Sequence, residues 1–582
     1  MRKNNLLSLR DMMALWSAIT SLFSKTDDST TNWIRNRNIV HGNRTRKLLA
    51  AFEKYDGGTG RLDAGNISTA FNEVDLYPSR AQVRDMILCA SECSNRESRD
   101  HILFGEFCIF VTELKEKYER ESLLQPLTTD KMKTKHRFLK RQTSSVISRF
   151  EVFLGGSCVP STWRKDIAIP LLKQYGLTYF DPVHEIWGPE LVEVENQAKK
   201  AADLLLFVFD DVTRGVAAMV EVAYLVGQGR PVILVVTGLP MSGVKINGQT
   251  LNDSEVQDLE RAHAVLFDLV ERQGIPVFDD LPTAVHCAAK VLRMGISVQD
   301  LSKADGARGV QNAHISVGES IILIKEAFDG VDTKKTGNLD MNDVRLTYKA
   351  LTRKDLTVGE VTSICNVSSS RNEELTFNFQ EFCCIVDEYK AMATTHNRIG
   401  DFFSFIFSGI FTLFGWMKTR TAEQIIMEDL TIRREVFLGG SCANTTWREQ
   451  IAIPLLRKHG ITYFNPQLPV WNLRYLPLEN EAKANCTVLL AVITGETRGL
   501  ASMVEIAFYI GQDRDLVLSL EDIQGGTVIN GHKVTNQELQ DYSRGRVYLA
   551  DAANCHGIPV FTNITEAVEC AIKKVYKLSG YS

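Results

Sequence analysis

The chain contains two copies of one segment, and this duplication limits its fold more than any other feature. EVFLGGSCVPSTWRKDIAIPLL begins at Glu151 and EVFLGGSCANTTWREQIAIPLL begins at Glu435, an offset of 435 − 151 = 284. The register holds without a gap over residues 151–230, where 41 of 80 positions are identical in the two copies. GIPVF recurs at 274–278 and 557–561, an offset of 283, so one deletion separates the copies. A fold assigned to one copy must therefore fit the other.

A second, weaker repeat precedes each copy. AFEKYDGGTGRLDAGNI at 51–67 is similar to AFDGVDTKKTGNLDMNDV at 327–344, so the order of units is A–B–A–B. We divide the chain into an N-terminal segment (1–46), a first helical pair (47–119), a linker (120–147), a first α/β domain (148–298), a linker (299–317), a second helical pair (318–391), an apolar linker (392–431) and a second α/β domain (432–578).

Length and composition exclude several classes of protein. A chain of 582 residues is too long for one hydrophobic core, so several domains are expected. The formal net charge of −5 gives no electrostatic basis for binding nucleic acid, which needs a basic face. The 12 cysteines form no C-x-x-C pair, which favours reduced thiols in an intracellular protein. No motif predicts a cofactor.

Each B copy alternates short apolar runs with helical segments. In the first copy, EVFLG (151–155) and DLLLFVF (203–209) are typical of buried strands, and residues 215–228 are typical of a buried helix. Strands that alternate with helices of this length predict a parallel sheet covered on both faces. Right-handed crossovers make this a doubly wound, flavodoxin-like α/β domain, which binds ligands at the carboxyl ends of its strands. We therefore predict two such domains, each preceded by an all-α, EF-hand-like domain.

Several polar residues are predicted to lie at the carboxyl edge of each sheet. The G-G-S turn after the first strand offers backbone N–H groups to a phosphate or a sugar, although glycines at such turns often only form the turn. The candidate ligand-binding residues are Gly155, Gly156, Ser157, Asp210 and Arg214, with Gly439, Gly440, Ser441 and Arg498 in the second copy.

Glu221 is an anomaly, because it is the one carboxylate in the apolar segment GVAAMVEVAYLVGQ. An ionised carboxylate on such a helix costs several kcal/mol unless it is paired or neutralised. Arg214 precedes it, and Arg498 precedes the equivalent Glu505. Each arginine either binds a ligand phosphate or pairs with its glutamate as a structural salt bridge, and the sequence leaves both alternatives open.

The motifs F-L-G-G-S…W, E-x-x-x-K…A-D-L-L-L-F-V and M-V-E-x-A-x-x-x-G-x-x-R-P-V-I resemble the nucleoside 2-deoxyribosyltransferase-like domain. The resemblance covers both B copies, about half of the chain. It implies that Glu221 and Glu505 occupy the position of the nucleophile that attacks the anomeric carbon of a deoxyribonucleoside. It also implies that Asp203 is the supporting acid, and that the two domains pair as an internal pseudodimer or in a homo-oligomer.

The second copy departs from the family pattern. Thr487 stands where the first copy has Asp203, and Thr494 where it has Asp210. Because cleavage of a glycosidic bond needs a nucleophile and a proton donor for the leaving base, the second domain is expected to be inactive. The first domain lacks the D-x-G-T-like loop of the family. Whether it is an enzyme therefore stays open, with a pseudoenzyme favoured.

The A units are similar to EF-hands, whose loops place oxygen ligands at positions 1, 3, 5, 9 and 12. In the loop that begins at Asp332, the oxygen-bearing residues Thr336, Asp340 and Asp343 fit this pattern. Position 3, however, is Lys334, which puts a cation where a ligand is needed. We predict a paired-helix fold that binds calcium weakly or not at all.

The linker DFFSFIFSGIFTLFGWMK contains a run, residues 402–417, without any charged side chain. This run is shorter than the ~20 residues of a helical membrane span. It fits a span, a segment lying in the lipid headgroups, or a buried interdomain helix, and membrane association is favoured over burial. Residues 12–24 are a second, shorter candidate.

The tandem architecture resembles that of the Raw-repeat animal proteins. This resemblance implies a regulatory role in developmental or neuronal signalling, in a stress-kinase or calcium-linked pathway, with signalling proteins as partners. The favoured function is thus a regulatory protein that uses enzyme-derived domains to bind a nucleoside or nucleotide. The alternatives are an N-glycosidase or deoxyribosyltransferase that acts through Glu221, and a calcium-responsive protein.

Overall fold

The computed structural model describes most of both repeats. The residues described are 43–96, 98–124, 150–183, 190–246, 248–310, 313, 315–352, 354–364, 376–394, 434–442, 445–467 and 476–579. The predicted membrane-associated segments, 402–417 and 12–24, lie outside these ranges. Within the described ranges, no helix is both long enough and apolar enough to cross a membrane. The described residues form two units, one from 43–76, 83–124 and 317–394, the other from 77–82, 150–316 and 434–579.

The first unit is mainly helical and contains both A repeats. Its first half consists of α1 (Asn43–Glu53), β1 (Arg61–Asp63), α2 (Ala64–Asn72), α3 (Arg80–Cys93), β2 (His101–Leu103) and α4 (Phe104–Leu124). Its second half consists of α10 (Glu319–Val331), β10 (Asn338–Asp340), α11 (Met341–Thr352), α12 (Val358–Ile364), β11 (Thr376–Asn378) and α13 (Phe379–Thr394). In each half an antiparallel two-stranded ribbon, β1–β2 or β10–β11, links two helix–loop–helix segments. Their assignment as EF-hands stays a prediction.

The second unit contains both B repeats, and its first domain has the predicted α/β order. The elements are β3 (Val152–Gly156), α5 (Ile169–Gln174), β4 (Tyr179–Phe180), α6 (Glu190–Ala201), β5 (Leu204–Phe209), α7 (Val216–Gly227), β6 (Val232–Val236), β7 (Lys245–Ile246), β8 (Gln249–Thr250), α8 (Asp253–Arg272), β9 (Val277–Phe278) and α9 (Leu281–Met294). The five-stranded parallel sheet has the order β4-β3-β5-β6-β9. This is the flavodoxin-like order 2-1-3-4-5.

The second α/β domain repeats the first. Its elements are β12 (Val436–Gly440), α14 (Ile453–Lys458), β13 (Tyr463–Phe464), α15 (Leu476–Asn485), β14 (Val488–Ile493), α16 (Leu500–Gly511), β15 (Leu516–Leu520), β16 (Val528–Ile529), β17 (His532–Lys533), α17 (Asn536–Cys555), β18 (Val560–Phe561) and α18 (Ile564–Ser579). The sheet order β13-β12-β14-β15-β18 matches that of the first domain. The predicted doubly wound fold is confirmed in both copies.

The two α/β domains pack on each other as an internal pseudodimer. Helices α7 and α16 cross at two glycines, because a Cβ on Gly227 would lie 2.3 Å from the backbone oxygen of Phe508. A Cβ on Gly511 would lie 2.3 Å from the backbone oxygen of Tyr224. A single buried cluster therefore contains apolar side chains of both domains. The glycine that ends E-x-A-x-x-x-G serves this close approach of the two helices.

Candidate functional site

Helix α7 places Glu221 at the boundary between the two domains. The helix starts after Gly215, which has a φ of 61°, a left-handed conformation that costs glycine little. Eight of its twelve residues are buried, so the helix is held by packing on nearly every side. The side chain of Glu221 is 14% exposed, in the one direction that α7 leaves open.

Lys199, at the end of α6, pairs with Glu221. Its ammonium group contacts the Glu221 carboxylate and lies 3.7 Å from a carboxylate oxygen of Glu195, one turn earlier on α6. It also lies 5.5 Å from the ring centroids of Phe153 and Tyr548, within the range of cation–π attraction. Burial raises the pKa of Glu221, and the charge of Lys199 opposes that shift. The pairing explains how an apolar helix tolerates a carboxylate.

A cleft of about 60 Å³ lies beside this pair, between the two domains. Domain 1 lines it through α6, α7 and the turn that follows α7, and domain 2 lines it through the last turns of α17. The lining residues are Asn196, Lys199, Lys200, Val220, Glu221, Tyr224, Leu225, Gln228, Arg230, Tyr548, Asp551, Ala552 and Cys555.

Domain 2 contributes hydrogen-bonding groups to the surroundings of Glu221. Tyr548 donates its hydroxyl to Glu195 at 3.0 Å, and Asn196 donates to Asp551 at 2.9 Å. Glu195 and Asp551 add negative charge near Glu221 and strengthen the upward shift of its pKa. Glu221 and Glu195 thus share one buried lysine, and the carboxylate of Asp551 lies nearby.

The second copy keeps the same ion pair in a more open setting. Lys483 lies 2.7 Å from Glu505 and 2.7 Å from Glu479. The side chain of Glu505 is 29% exposed, twice the fraction of Glu221. The motif E-x-x-x-K therefore places a lysine on the nucleophile position in both copies.

Arg214 does not pair with Glu221, so the predicted alternative of a structural bridge between them is wrong. Its guanidinium lies 2.6 Å from Glu255 at the start of α8 and 3.1 Å from Asp541 of domain 2. Arg498 likewise lies 2.8 Å from Asp258 of domain 1. Arg214 precedes α7 and therefore faces the first turns of α8 and α17, whereas Glu221 faces α6. Both arginines are buried in ion pairs between the domains. To bind a phosphate, which is the other role predicted for them, each arginine would have to release a carboxylate.

The glycines of the G-G-S turn, which were predicted to bind a ligand, are needed for packing. A Cβ on Gly155 would lie 2.3 Å from the ring of Phe207, and one on Gly156 would lie 2.1 Å from the backbone oxygen of Val208. The N–H of Ser157 donates to the same oxygen at 2.8 Å. In the second copy Gly440 has the same close contact with Val492, Ser441 donates to the same oxygen, and Gly439 has more room. A ligand role for these turns stays a prediction.

Arg164 and Trp163 fix the G-G-S turn. Both belong to the sequence motifs, but neither was predicted as a site residue. Arg164 donates to the backbone oxygens of Leu154 and Ser157 at 3.1 and 2.6 Å, and Trp163 donates to Ser157 at 2.8 Å. Arg448 and Trp447 make the equivalent bonds in the second copy. Because these donors point at main-chain oxygens, their role is to fix the turn.

The predicted acids of domain 1 lie at opposite edges of the sheet. Asp210 follows the carboxyl end of β5 and accepts a hydrogen bond from Thr213, whose hydroxyl is 2.7 Å from that of Ser157. Asp203 precedes the amino end of β5, is exposed, and is not among the residues that line the cleft. The structure therefore does not bring Asp203 and Asp210 together, and Asp203 does not share the cleft with Glu221.

The weak calcium candidates are engaged in local hydrogen bonds. Asp332 accepts from the N–H groups of Thr336 and Gly337 at 2.9 and 2.7 Å, and Asp340 accepts from the N–H groups at the start of α11, including that of Asp343. Among the described residues, no group of three or more histidine, cysteine or acidic side chains could hold a metal ion.

The comparison with family models defines the class of the α/β domains. The model described as "nucleoside 2-deoxyribosyltransferase like" matches residues 149–239 and 433–523. The chain thus carries two domains of this class, in the positions that the internal repeat indicates. No similar protein was found among curated proteins, and none among solved structures. Helices α8 and α17 lie outside the matched ranges, so the family pattern does not include the cleft wall formed by Tyr548 and Asp551.

Sequence reasoning missed Lys199, Tyr548 and Asp551. A signal for Lys199 was present, since E-x-x-x-K occurs at equivalent positions of both copies. Tyr548 and Asp551 had no such signal, because they approach Glu221 only after the domains pack together.

Proposed function

We propose that the protein is a regulatory protein whose two deoxyribosyltransferase-like domains bind a nucleoside or nucleotide without cleaving it. The observation that carries this proposal is the contact between Lys199 and Glu221. A carboxylate nucleophile attacks through an oxygen lone pair, and an ammonium group in contact with Oε1 draws electron density from the carboxylate and lowers its reactivity. The same pairing at Glu505 supports one common structural solution in both copies.

The position of the acids supports the same conclusion. Departure of a nucleobase requires a proton at its nitrogen, supplied by a group within hydrogen-bonding reach. Asp203, the acid implied by the family pattern, does not line the cleft beside Glu221. Domain 2 has Thr487 and Thr494 in place of Asp203 and Asp210. Among the described residues, the acid that the resemblance implies is therefore not beside Glu221, and the second copy has a threonine at its position.

The regulatory part of the proposal rests on the resemblance of the tandem architecture to Raw-repeat proteins. Two α/β domains fused into one pseudodimer and joined to a helical unit fit a protein that couples ligand binding to a signalling partner. A membrane contact through residues 402–417 remains part of this proposal. Sedimentation of the full chain with anionic lipid vesicles, compared with a variant carrying four serines within 402–417, tests that contact.

The second candidate is an N-glycosidase acting through Glu221, which is favoured by the cleft on which this carboxylate borders. The deciding experiment incubates the full chain with 2′-deoxynucleosides, their 5′-monophosphates and NAD, and measures free base by chromatography and ligand binding by calorimetry. We expect binding of at least one compound with no release of base. Release of base that disappears in Glu221→Gln, but persists in the matched variant Glu505→Gln, would establish the enzyme instead. Absence of binding by every compound would also refute the proposal.

A further inference from the structure

The cleft beside Glu221 is built asymmetrically, although the chain is a duplication. Helices α8 and α17 are equivalent, each has 20 residues, and their positions differ by 283. Tyr548 on α17 therefore corresponds to Val265 on α8, since 548 − 283 = 265. Cys555 corresponds in the same way to Arg272. The wall that domain 2 supplies to domain 1 thus differs from the wall that domain 1 supplies to domain 2.

Arg272 occupies the equivalent region beside the second site. Its guanidinium lies 2.8 Å from Asp268, the counterpart of Asp551. Its charge also opposes the rise in the pKa of Tyr509, four residues after Glu505, that burial causes. The place that Cys555 leaves open in the first site therefore receives a long, charged side chain in the second.

A second one-sided contact borders the first cleft. The hydroxyl of Tyr224 lies 3.0 Å from Nε2 of His556, whose Nδ1 lies 2.7 Å from Asp513. Phe508 and Gln273 occupy the positions of Tyr224 and His556 in the other half. Tyr224 lines the cleft, so this chain of hydrogen bonds orients a hydroxyl at the first site that Phe508 cannot supply at the second.

The lining of the cleft fits an uncharged, planar ligand. Val220, Leu225 and Ala552 are apolar, Tyr548 offers an aromatic ring, and the amides of Asn196 and Gln228 offer hydrogen-bonding groups. Small-molecule sites commonly combine apolar walls with a few such polar groups. The volume of about 60 Å³ corresponds to a few water molecules, so only a small part of a ligand enters the cleft.

Charge disfavours a phosphate in the same place. The carboxylates of Glu221 and Asp551 line the cleft, and the ammonium of Lys199 is shared among Glu221 and Glu195. Arg230 donates to the backbone oxygens that end α6. Lys200 is exposed, so solvent and salt would screen its attraction to a phosphate.

We propose that the molecule binds one nucleoside, that its base enters the cleft beside Glu221, and that Arg272 closes the equivalent place beside Glu505. This proposal rests on the proposed nucleoside-binding function and adds the position, the stoichiometry and the preference for an unphosphorylated ligand. Tyr548 and Cys555 of domain 2 determine the ligand specificity of domain 1.

Calorimetric titration of the full chain with the four 2′-deoxynucleosides and their 5′-monophosphates tests the proposal. We expect one molecule bound per chain, and monophosphates that bind no more tightly than the nucleosides. Cys555→Arg, which copies the second site into the first, should weaken binding at least tenfold, whereas Val547→Arg, at an exposed position of the same helix outside the cleft lining, should leave it unchanged. Tyr548→Val should weaken binding about tenfold, and it decides the question if Cys555→Arg does not fold in a thermal unfolding control.

The two proposals fail in different ways. If no nucleoside or nucleotide binds the wild-type chain, the proposed function is refuted together with this assignment. If a compound binds but two molecules bind per chain, or binding survives both Cys555→Arg and Tyr548→Val, the cleft assignment is wrong while the proposed function stands. Monophosphates that bind tenfold more tightly than nucleosides would overturn the preference for an uncharged ligand.

Discussion

Replacing Lys199 by methionine tests whether this lysine keeps Glu221 ionised. Methionine retains much of the apolar stem of lysine and removes the ammonium group that contacts the carboxylate. Glu221 then has two other carboxylates nearby, Glu195 and Asp551, and a side chain that is only 14% exposed. We expect the variant to be less stable, because breaking a buried ion pair leaves an uncompensated charge.

The loss of stability in Lys199→Met has an upper limit, because Glu221 can bind a proton instead of remaining charged. Removing one partner of a buried pair costs about 3–5 kcal/mol. A glutamate with an ordinary pKa of 4.5 can be neutralised at pH 7 for about 1.36 × 2.5, or about 3.4 kcal/mol. The expected loss is therefore about 3 kcal/mol at pH 7. At pH 5 the same limit is about 0.7 kcal/mol, so most of the loss should disappear.

The sign of this pH dependence follows from the pKa shift. Burial raises the pKa of Glu221 above its unfolded value, and removal of Lys199 should raise it further. A raised carboxyl pKa favours the folded state below the unfolded pKa, and this advantage is lost as the pH increases through the folded pKa. The destabilisation caused by Lys199→Met should therefore grow from pH 5 to pH 7.

Urea unfolding of the α/β unit at pH 5, 6, 7 and 8, followed by circular dichroism, measures the effect. Lys483→Met is the matched control, and it should cost less because Glu505 is 29% exposed. The double variant Lys199→Met/Glu221→Gln should recover most of the stability. A loss that is the same at pH 5 and pH 8, or that Glu221→Gln does not relieve, would refute the role assigned to Lys199.

Three further predictions concern the rest of the molecule. Gly227→Ala should destabilise the α/β unit by about 2 kcal/mol or more, since its Cβ would lie 2.3 Å from a backbone oxygen, whereas Gly525→Ala, with nothing within 4 Å, should be nearly neutral in the same urea assay. Burial lowers the pKa of His263 to about 4. The free energy of unfolding of the α/β unit should therefore fall by about 1.4 kcal/mol for each pH unit between pH 6.5 and pH 4, and this slope should be smaller in His263→Leu. Millimolar calcium should leave the melting temperature of the helical unit unchanged, since Lys334 stands where the loop needs an oxygen ligand; a rise of several degrees that is lost in Asp332→Asn would contradict this.

The sequence was sufficient to predict the α/β fold, because each element carries its own signal. Strand β5 is apolar at every position and α7 is apolar nearly all round, which are properties of elements covered on both faces. The repeat made the prediction of the fold more certain, since the same strands and helices had to fit both copies. Pairing of the domains was predicted from resemblance alone.

The partners of the buried charges could not be predicted in the same way. Arg214 is seven positions from Glu221 in the sequence, yet it bonds to Glu255 and Asp541. Closeness in sequence did not predict the ion pair, because Arg214 precedes α7 and faces α8 and α17, whereas Glu221 lies on α7 and faces α6. Asp541 belongs to the other domain, so its approach depends on the way in which the two domains pack.

The interface between the α/β domains contains two kinds of residues. Some hold the two domains together, and others make the two sites different. Arg214–Asp541 and Arg498–Asp258 are equivalent contacts, because 214 + 284 = 498 and 258 + 283 = 541. Such reciprocal contacts are those of a two-fold interface, in which both copies must keep the same residues. The residues around the cleft carry no such constraint, and Tyr548 has become valine in the other half. Substitutions at the arginines should therefore weaken both domains together, whereas substitutions at Tyr548 should affect the first site alone.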